Sequence, residues 1–232
     1  MMQYKNLTII GTSHIAKQSL LEVERAIEES KPDIVALELD SKRLYSLMNR
    51  EKSKISIYNI RRVGLKGFIF SLIGAWAEKK LGKLVGVAPG SEMKKAIMLA
   101  RKNKLKIVLI DQDIEITLRR FSKALTWKEK WNFIADIVKQ IFAGNREIEF
   151  DLTKVPDRKT IRKLIGKVKI RYPNIYKVLI EERNEVMAKN LEKIMEEHQD
   201  KKILAIIGAG HEEDIIDIIK KPQISYSVKI GQ

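Results

Sequence analysis

The chain contains no cysteine, which excludes a disulfide framework, a cysteine-ligated zinc site, an iron–sulfur cluster and a thiol nucleophile. A metal could be held only by histidine and carboxylate, and histidine itself is scarce: His14, His198 and His211 are the three present. Long apolar runs are missing too. The longest, residues 67–77, ends after 11 residues at Glu78, against the roughly 20 needed to cross a bilayer, so it could lie on a membrane but not span one. The first residues run straight into a strand pattern without a charged region followed by a long apolar stretch; the expectation is a cytoplasmic chain, peripheral to or tethered at a membrane. No G-x-G-x-x-G fingerprint, phosphate-binding loop or G-x-S-x-G elbow occurs, which leaves nucleotide binding and α/β-type serine hydrolysis with little support.

What is present is a globular composition over 232 residues, 44% hydrophobic and 32% charged, enough for one large domain with a real core. Cations dominate, Lys+Arg 45 against Asp+Glu 30, and the resulting +15 invites a polyanionic partner. The surplus is local: residues 41–110 hold 17 basic and 3 acidic side chains, interleaved with apolar residues, while the other segments are close to neutral. No nucleic-acid-binding motif accompanies it, so no nucleic acid is expected as a partner. An anionic membrane surface, or a homo-oligomer contact through residues 41–90, fits a basic segment with an apolar run better.

Four apolar, β-branched runs punctuate the chain at 7–10, 34–39, 107–110 and 203–207, without polar alternation, as strands buried on both faces read. Helical stripes at 19–30 and 91–103 separate them, and Pro32 closes the first. The pattern predicts an α/β fold with a mostly parallel central sheet flanked by helices. It is a single domain over 1–232, with helical insertions at about 41–90 and 121–200 forming a cap; within the second, 127–142 and 172–198 read as long helices. A helix at 212–220 and an edge strand at 225–230 complete the expectation.

The strands end in polar clusters: Gly11-Thr12-Ser13-His14, Glu38-Leu39-Asp40, Asp111-Gln112-Asp113 and Gly208-Ala209-Gly210-His211. In an open parallel sheet these ends share one edge, where ligands bind. His14 and His211 recur in matched strand-Gly-x-x-His settings, whereas His198 reads as a solvated helix-end residue. Imidazole with the carboxylates of Glu38 and Asp111 is a workable ligand set for a divalent metal and an activated water, hence for metal-assisted hydrolysis. A buried Glu38 needs a neutralising partner, a metal or an arginine, and the lesser alternative is an internal ion pair with Arg43 or Arg183 that serves the fold. Glu92 starts a helix, where the macrodipole favours a carboxylate, and is also a candidate proton carrier. Arg120 and Arg183 are candidates for binding a substrate carboxylate or a developing oxyanion.

These residues resemble the TraB/PrgY family, within the wider group of Tiki and GumN proteins and, more distantly, the erythromycin-esterase/ChaN-like fold. The resemblance runs over nearly the whole chain through GTSHIAKQS (11–19), PDIVALELDSKR (32–43), APGSEMKKAI (88–97), LIDQDIEITLRR (109–120), EERNEVMAKNL (181–191) and AIIGAGH (205–211). It implies a metal-dependent peptidase in which His14, His211 and Glu38 hold the metal, with Mn²⁺ or Co²⁺ favoured and Zn²⁺ open. In that reading Arg43 or Glu92 orients substrate or moves a proton, and Asp111, Arg120 and Arg183 contact substrate. One departure stands out: relatives usually read D-R-D where this chain has Asp111-Gln112-Asp113, so a cation is missing there. The alternative expectation is a non-catalytic peptide- or anion-binding, sequestering module at a membrane surface. Relatives often carry transmembrane helices after this domain, so the chain is expected to be a short soluble member or the soluble part of a longer protein.

Overall fold

The computed structural model describes residues 1–12, 17–49, 90–129, 131–132, 135–136 and 158–221. Each apolar run becomes a strand: β2 (Leu7–Thr12), β3 (Ile34–Leu37), β4 (Lys106–Leu109) and β5 (Ile203–Gly208). A fifth, β1 (Met2–Tyr4), escapes the sequence pattern because three residues carry no period; it pairs antiparallel with β2 through a turn in which Lys5 has φ 51°. The sheet order is β1-β2-β5-β3-β4, and β2, β5, β3 and β4 are parallel neighbours. Every residue of the central strands β3 and β5 is buried, which is why their sequences are apolar without alternation.

Side chains of β5 divide between two cores. Ile203, Ala205 and Ile207 join Leu7, Ile9, Ile34 and Ala36 under α7 (Glu182–Glu197) and α8 (Glu212–Lys220). Leu204 and Ile206 join Ile10, Val35 and Leu37 under α1 (Lys17–Ser30) and α3 (Ser91–Lys102). A two-residue period on the strand and a 3.6-residue period on each helix thus bury both faces. A fully buried side chain such as Met187 or Leu191 contributes about 1.5–3 kcal/mol on this account.

Outside these layers lie α2 (Ser41–Asn49), α4 (Ile114–Ala124), α5 (Arg158–Arg171) and α6 (Pro173–Tyr176), with further helical residues at 127–129, 131–132 and 135–136. They include the cap-like extension that the long intervals between strands required. Thr126 and Glu129 cap each other reciprocally: the Glu129 amide donates to Thr126 Oγ1 and the Thr126 amide to Glu129 Oε2, at 3.3 and 3.1 Å. The Asn174 amide then donates to Glu129 Oε1 at 2.7 Å and ties that turn to α6.

The helix expected over 172–198 is present from Pro173 to Glu197 and carries a π-helical turn within it. Pro173 opens α6, a π-helical turn spans Lys177–Glu181, and α7 begins at Glu182. A π turn carries one more residue per turn than an α-helix and rotates the helix beyond it. Here that sets the direction of Arg183. The expected strand at 225–230, most of the basic segment 41–90 and its apolar run 67–77 lie outside the described residues. The expected membrane association gains no support: among the described residues, no helix is long and apolar enough to cross a membrane.

Candidate functional site

The register brings the polar clusters together. Leu37 pairs with Ile206 on one side and Leu109 on the other, so Glu38 to Asp40 leave the sheet beside the exits of β4 and β5. The Glu38 amide still donates to Ile206 O at 3.1 Å, and the Asp111 amide to Leu39 O at 3.3 Å, which places both carboxylates at one level. Both side chains are 2% exposed.

Between them lies Arg183, delivered from the first turn of α7. Its Nε and Nη2 donate to the two oxygens of Asp111 at 3.0 and 2.7 Å, and Nη2 also donates to Glu38 Oε1 at 2.5 Å. Nη1 donates to Leu179 O at 3.2 Å, within the π turn, and faces His211 Nε2 at 3.4 Å. A guanidinium has five N–H donors, and five protein acceptors surround this one. Burial opposes its charge, but the hydrogen bonds and charges of Asp111 and Glu38 outweigh that and hold it more firmly protonated than an ordinary arginine. The other oxygen of Glu38 accepts the Gly208 amide at 2.5 Å.

His211 occupies the position before the first turn of α8, without a side-chain bond to that turn, and is buried. Asn184 Nδ2 donates to Asp214 Oδ2 at 3.1 Å, which turns Asn184 Oδ1 toward the imidazole, 2.5 Å from Nδ1. Nδ1 therefore carries the donor hydrogen and Nε2 is the acceptor that faces Arg183. Burial raises the Asp214 carboxyl above its ordinary range. Asn184, 1% exposed, had no part in the sequence reading although it stands next to Arg183 in the EERNEVMAKNL segment.

Arg43 reaches the same network from α2, its Nη1 donating to Asp111 Oδ2 at 2.8 Å, with its side chain one-third exposed. Asp40 positions it by accepting the amides of Lys42 and Arg43 at 2.8 and 3.1 Å. Asp40 also accepts the Ile114 amide at 3.3 Å, joining α2 to α4. Gln112, the departure from D-R-D, turns inward and donates to Thr117 Oγ1 at 2.9 Å. Asp113 caps α4 and pairs with Lys42 at 2.8 Å.

Of the sequence candidates, the structure therefore assembles Glu38, Arg43, Asp111, Arg183 and His211. Arg120 stays more than half exposed and pairs with Glu182 at 2.9 Å, one residue from Arg183. Glu92 is buried in the first turn of α3 and makes no hydrogen bond to Arg183 or Asp111. His14 lies outside the described residues.

The expected metal centre is not supported. Among the described residues, no group of three or more His, Asp or Glu side chains could hold a metal ion. The physical reason is Arg183. Glu38 Oε1 and His211 Nε2 stand 3.7 Å apart, and the guanidinium that hydrogen-bonds to one and faces the other supplies the positive charge there. A dication at about 4 Å from it would meet repulsion on the order of 8 kcal/mol at an effective dielectric of about 20. The expectations of Mn²⁺, Co²⁺ or Zn²⁺ as cofactor, of metal-assisted hydrolysis, and of a metalloprotease or other hydrolase are corrected accordingly. Glu38 belongs instead to a buried ion-pair network, the alternative that its burial had left open.

The turn after β5 also explains Gly11. A β-carbon at Gly11 would stand 2.9 Å from Ala209 Cα and against the carboxylate of buried Glu212, so only glycine lets β2 pass the Gly208–His211 turn.

A profile of the TraB/PrgY/gumN family matches residues 3–225. An uncharacterized protein of Methanocaldococcus jannaschii is 39% identical over 219 residues, covering 93% of this chain and 54% of that protein. TraB domain-containing proteins of Mus musculus and Homo sapiens are each 22% identical over 187 residues, covering 76% of this chain and 49% of theirs. The chain spans about half the length of the curated relatives it matches. With a match that takes in its sheet, its cap and every residue of the Glu38–Asp111–Arg183–His211 network, this chain belongs to the TraB/PrgY/gumN family.

Proposed function

We propose that the chain is a non-catalytic binding module that captures a peptide or other anionic ligand at the carboxyl edge of its sheet. The observation that carries this reading is the five-acceptor shell of Arg183. Acid–base or metal chemistry needs a carboxylate or imidazole free to take a proton or a metal, and here Glu38 and His211 are fixed around a permanent cation. Such a network holds its shape without turning over a substrate.

Arg43 supplies the recognition. Asp111 holds one end of its guanidinium, and the side chain is exposed enough to present its remaining donors outward. A ligand carboxylate can be met by that planar fork in two-point fashion.

Isothermal titration with a short peptide bearing a free C-terminal carboxylate, compared with its amidated form, tests the reading. Arg43→Met should lower affinity for the free acid roughly 10- to 100-fold, the equivalent of one charge-assisted hydrogen bond of about 1.5–3 kcal/mol. Mass spectrometry should recover the peptide intact with or without added Mn²⁺. Metal-stimulated cleavage that His211→Ala abolishes, or equal affinity for the amidated peptide, would refute the proposal.

A further inference from the structure

The outward face of α5 has a composition that its role in the cap does not require. The helix Arg158–Arg171 carries seven basic residues and no acidic one. Three of the seven are used internally: Arg162 pairs with Glu213 at 2.6 Å, Lys169 with Glu181 at 3.3 Å, and Arg171 with Asp136 at 2.5 Å. Lys159, Lys163 and Lys167 are exposed and make no ion pair among the described residues.

These three lysines stand at four-residue spacing, so they form one row of about 12 Å with a cation every 6 Å or so. Ile170, 87% exposed, falls within the same arc of about 80° at 3.6 residues per turn. Beside the row lies Gly166, where a β-carbon would have no neighbour within 4 Å. Glycine weakens a helix interior, and among the described residues nothing crowds the position. A solvated helix face would ordinarily mix charges of both signs. This face is a cationic row with one aliphatic side chain and a notch where another backbone could approach closely.

We infer that the outward face of α5 docks an acidic segment of a partner protein, which crosses the helix at Gly166, places carboxylates on Lys159, Lys163 and Lys167, and covers Ile170 with an apolar side chain. Charge complementarity selects an anionic occupant. The aliphatic residue selects protein over nucleic acid, because α5 contains no aromatic ring on which a base could stack. The lysine row includes no residue of the carboxyl-edge network, although Gly166 borders a cavity that also touches Ala209, Gly210 and Asp214, and the inference does not depend on the ligand captured at that edge.

Fluorescence anisotropy on the full chain tests it, with a labelled helical peptide bearing glutamates at i, i+4 and i+8 and a leucine on the same face, in 150 mM salt. The triple substitution Lys159→Glu, Lys163→Glu and Lys167→Glu should weaken binding at least tenfold. Gly166→Leu should weaken it several-fold without changing any charge, while circular dichroism and Tm show the helix intact. Wild-type binding by either α5 variant would overturn the inference, as would failure of the peptide to bind or tighter binding of a single-stranded oligothymidylate.

Discussion

Removing Arg183 is the sharpest perturbation the structure offers. Arg183→Met keeps much of the volume and strips its hydrogen bonds from two carboxylates that are each 2% exposed. The two are not left equal. Asp111 retains Arg43 at 2.8 Å, whereas Glu38 retains His211 at 3.7 Å, a charge partner only when protonated, and the Gly208 amide at 2.5 Å. Breaking a buried pair from one side costs about 3–5 kcal/mol, because the orphaned charge stays desolvated. In a chain of this size that corresponds to a fall in Tm of about 6–20 °C. Urea unfolding at pH 7 measures the loss directly through the midpoint. Arg183→Lys should lose less, about 2 kcal/mol, since it keeps the charge but cannot span both oxygens of Asp111 and Glu38. Adding Glu38→Gln to Arg183→Met should recover a large part of the loss, so that the two changes are strongly non-additive. A loss below about 1 kcal/mol for Arg183→Met would refute the reasoning, for it would place the network among solvent-screened surface pairs.

Other expectations rest on the same geometry. Gly11→Ala drives a methyl group against Ala209 and Glu212 and should lower stability by about 1–3 kcal/mol in thermal unfolding; an unchanged Tm would mean that the Gly208–His211 turn can yield. Glu129→Ala removes the bonds its carboxylate accepts from the Thr126 amide and hydroxyl and both bonds from Asn174, while the residue-129 amide keeps its bond to Thr126 Oγ1, for an expected loss of about 2–4 kcal/mol. Burial pushes the Glu129 carboxyl up, but these hydrogen bonds outweigh it and hold it below 4.5, so its contribution is present above that pH and is lost as pH falls; Glu129→Gln should reduce this acid sensitivity. Asp214 has the opposite sign. Burial raises its carboxyl above 3.8, so the folded chain binds its proton more tightly than the unfolded one, and its contribution is complete below 3.8 and lost as pH rises through the folded value. Asp214→Asn should flatten that decline in a series of urea midpoints against pH; an unaltered slope would show that other groups produce it.

The sheet was legible because strands buried on both faces must be apolar at every position, and the runs at 34–39 and 203–207 leave no room for another reading. The convergence of Glu38, Asp111 and His211 was legible for a related reason: parallel strands deliver the residues after their carboxyl ends to one edge. The π turn was not. Nothing local in Lys177–Glu181 distinguishes it from an α-helix, and it is stabilised where Arg183 bonds Leu179 O while its other donors face the sheet. The metal reading failed at the same place. Histidine and glutamate at strand ends specify a ligand set only if no fixed cation already stands between them, and the arginine that does so comes from 145 residues beyond Glu38.

By itself, then, the sequence determined the layers, the parallel sheet and the identity of the edge that carries the polar residues, since those depend on periodicity and strand direction. It also determined that α5 is basic throughout, since that is composition. Only the tertiary structure decided what the edge is. The rotation imposed by the π turn brings one guanidinium within hydrogen-bonding distance of Glu38 and Asp111 and face to face with His211, and a set of residues that reads as a metal centre becomes an ion-pair network around an arginine.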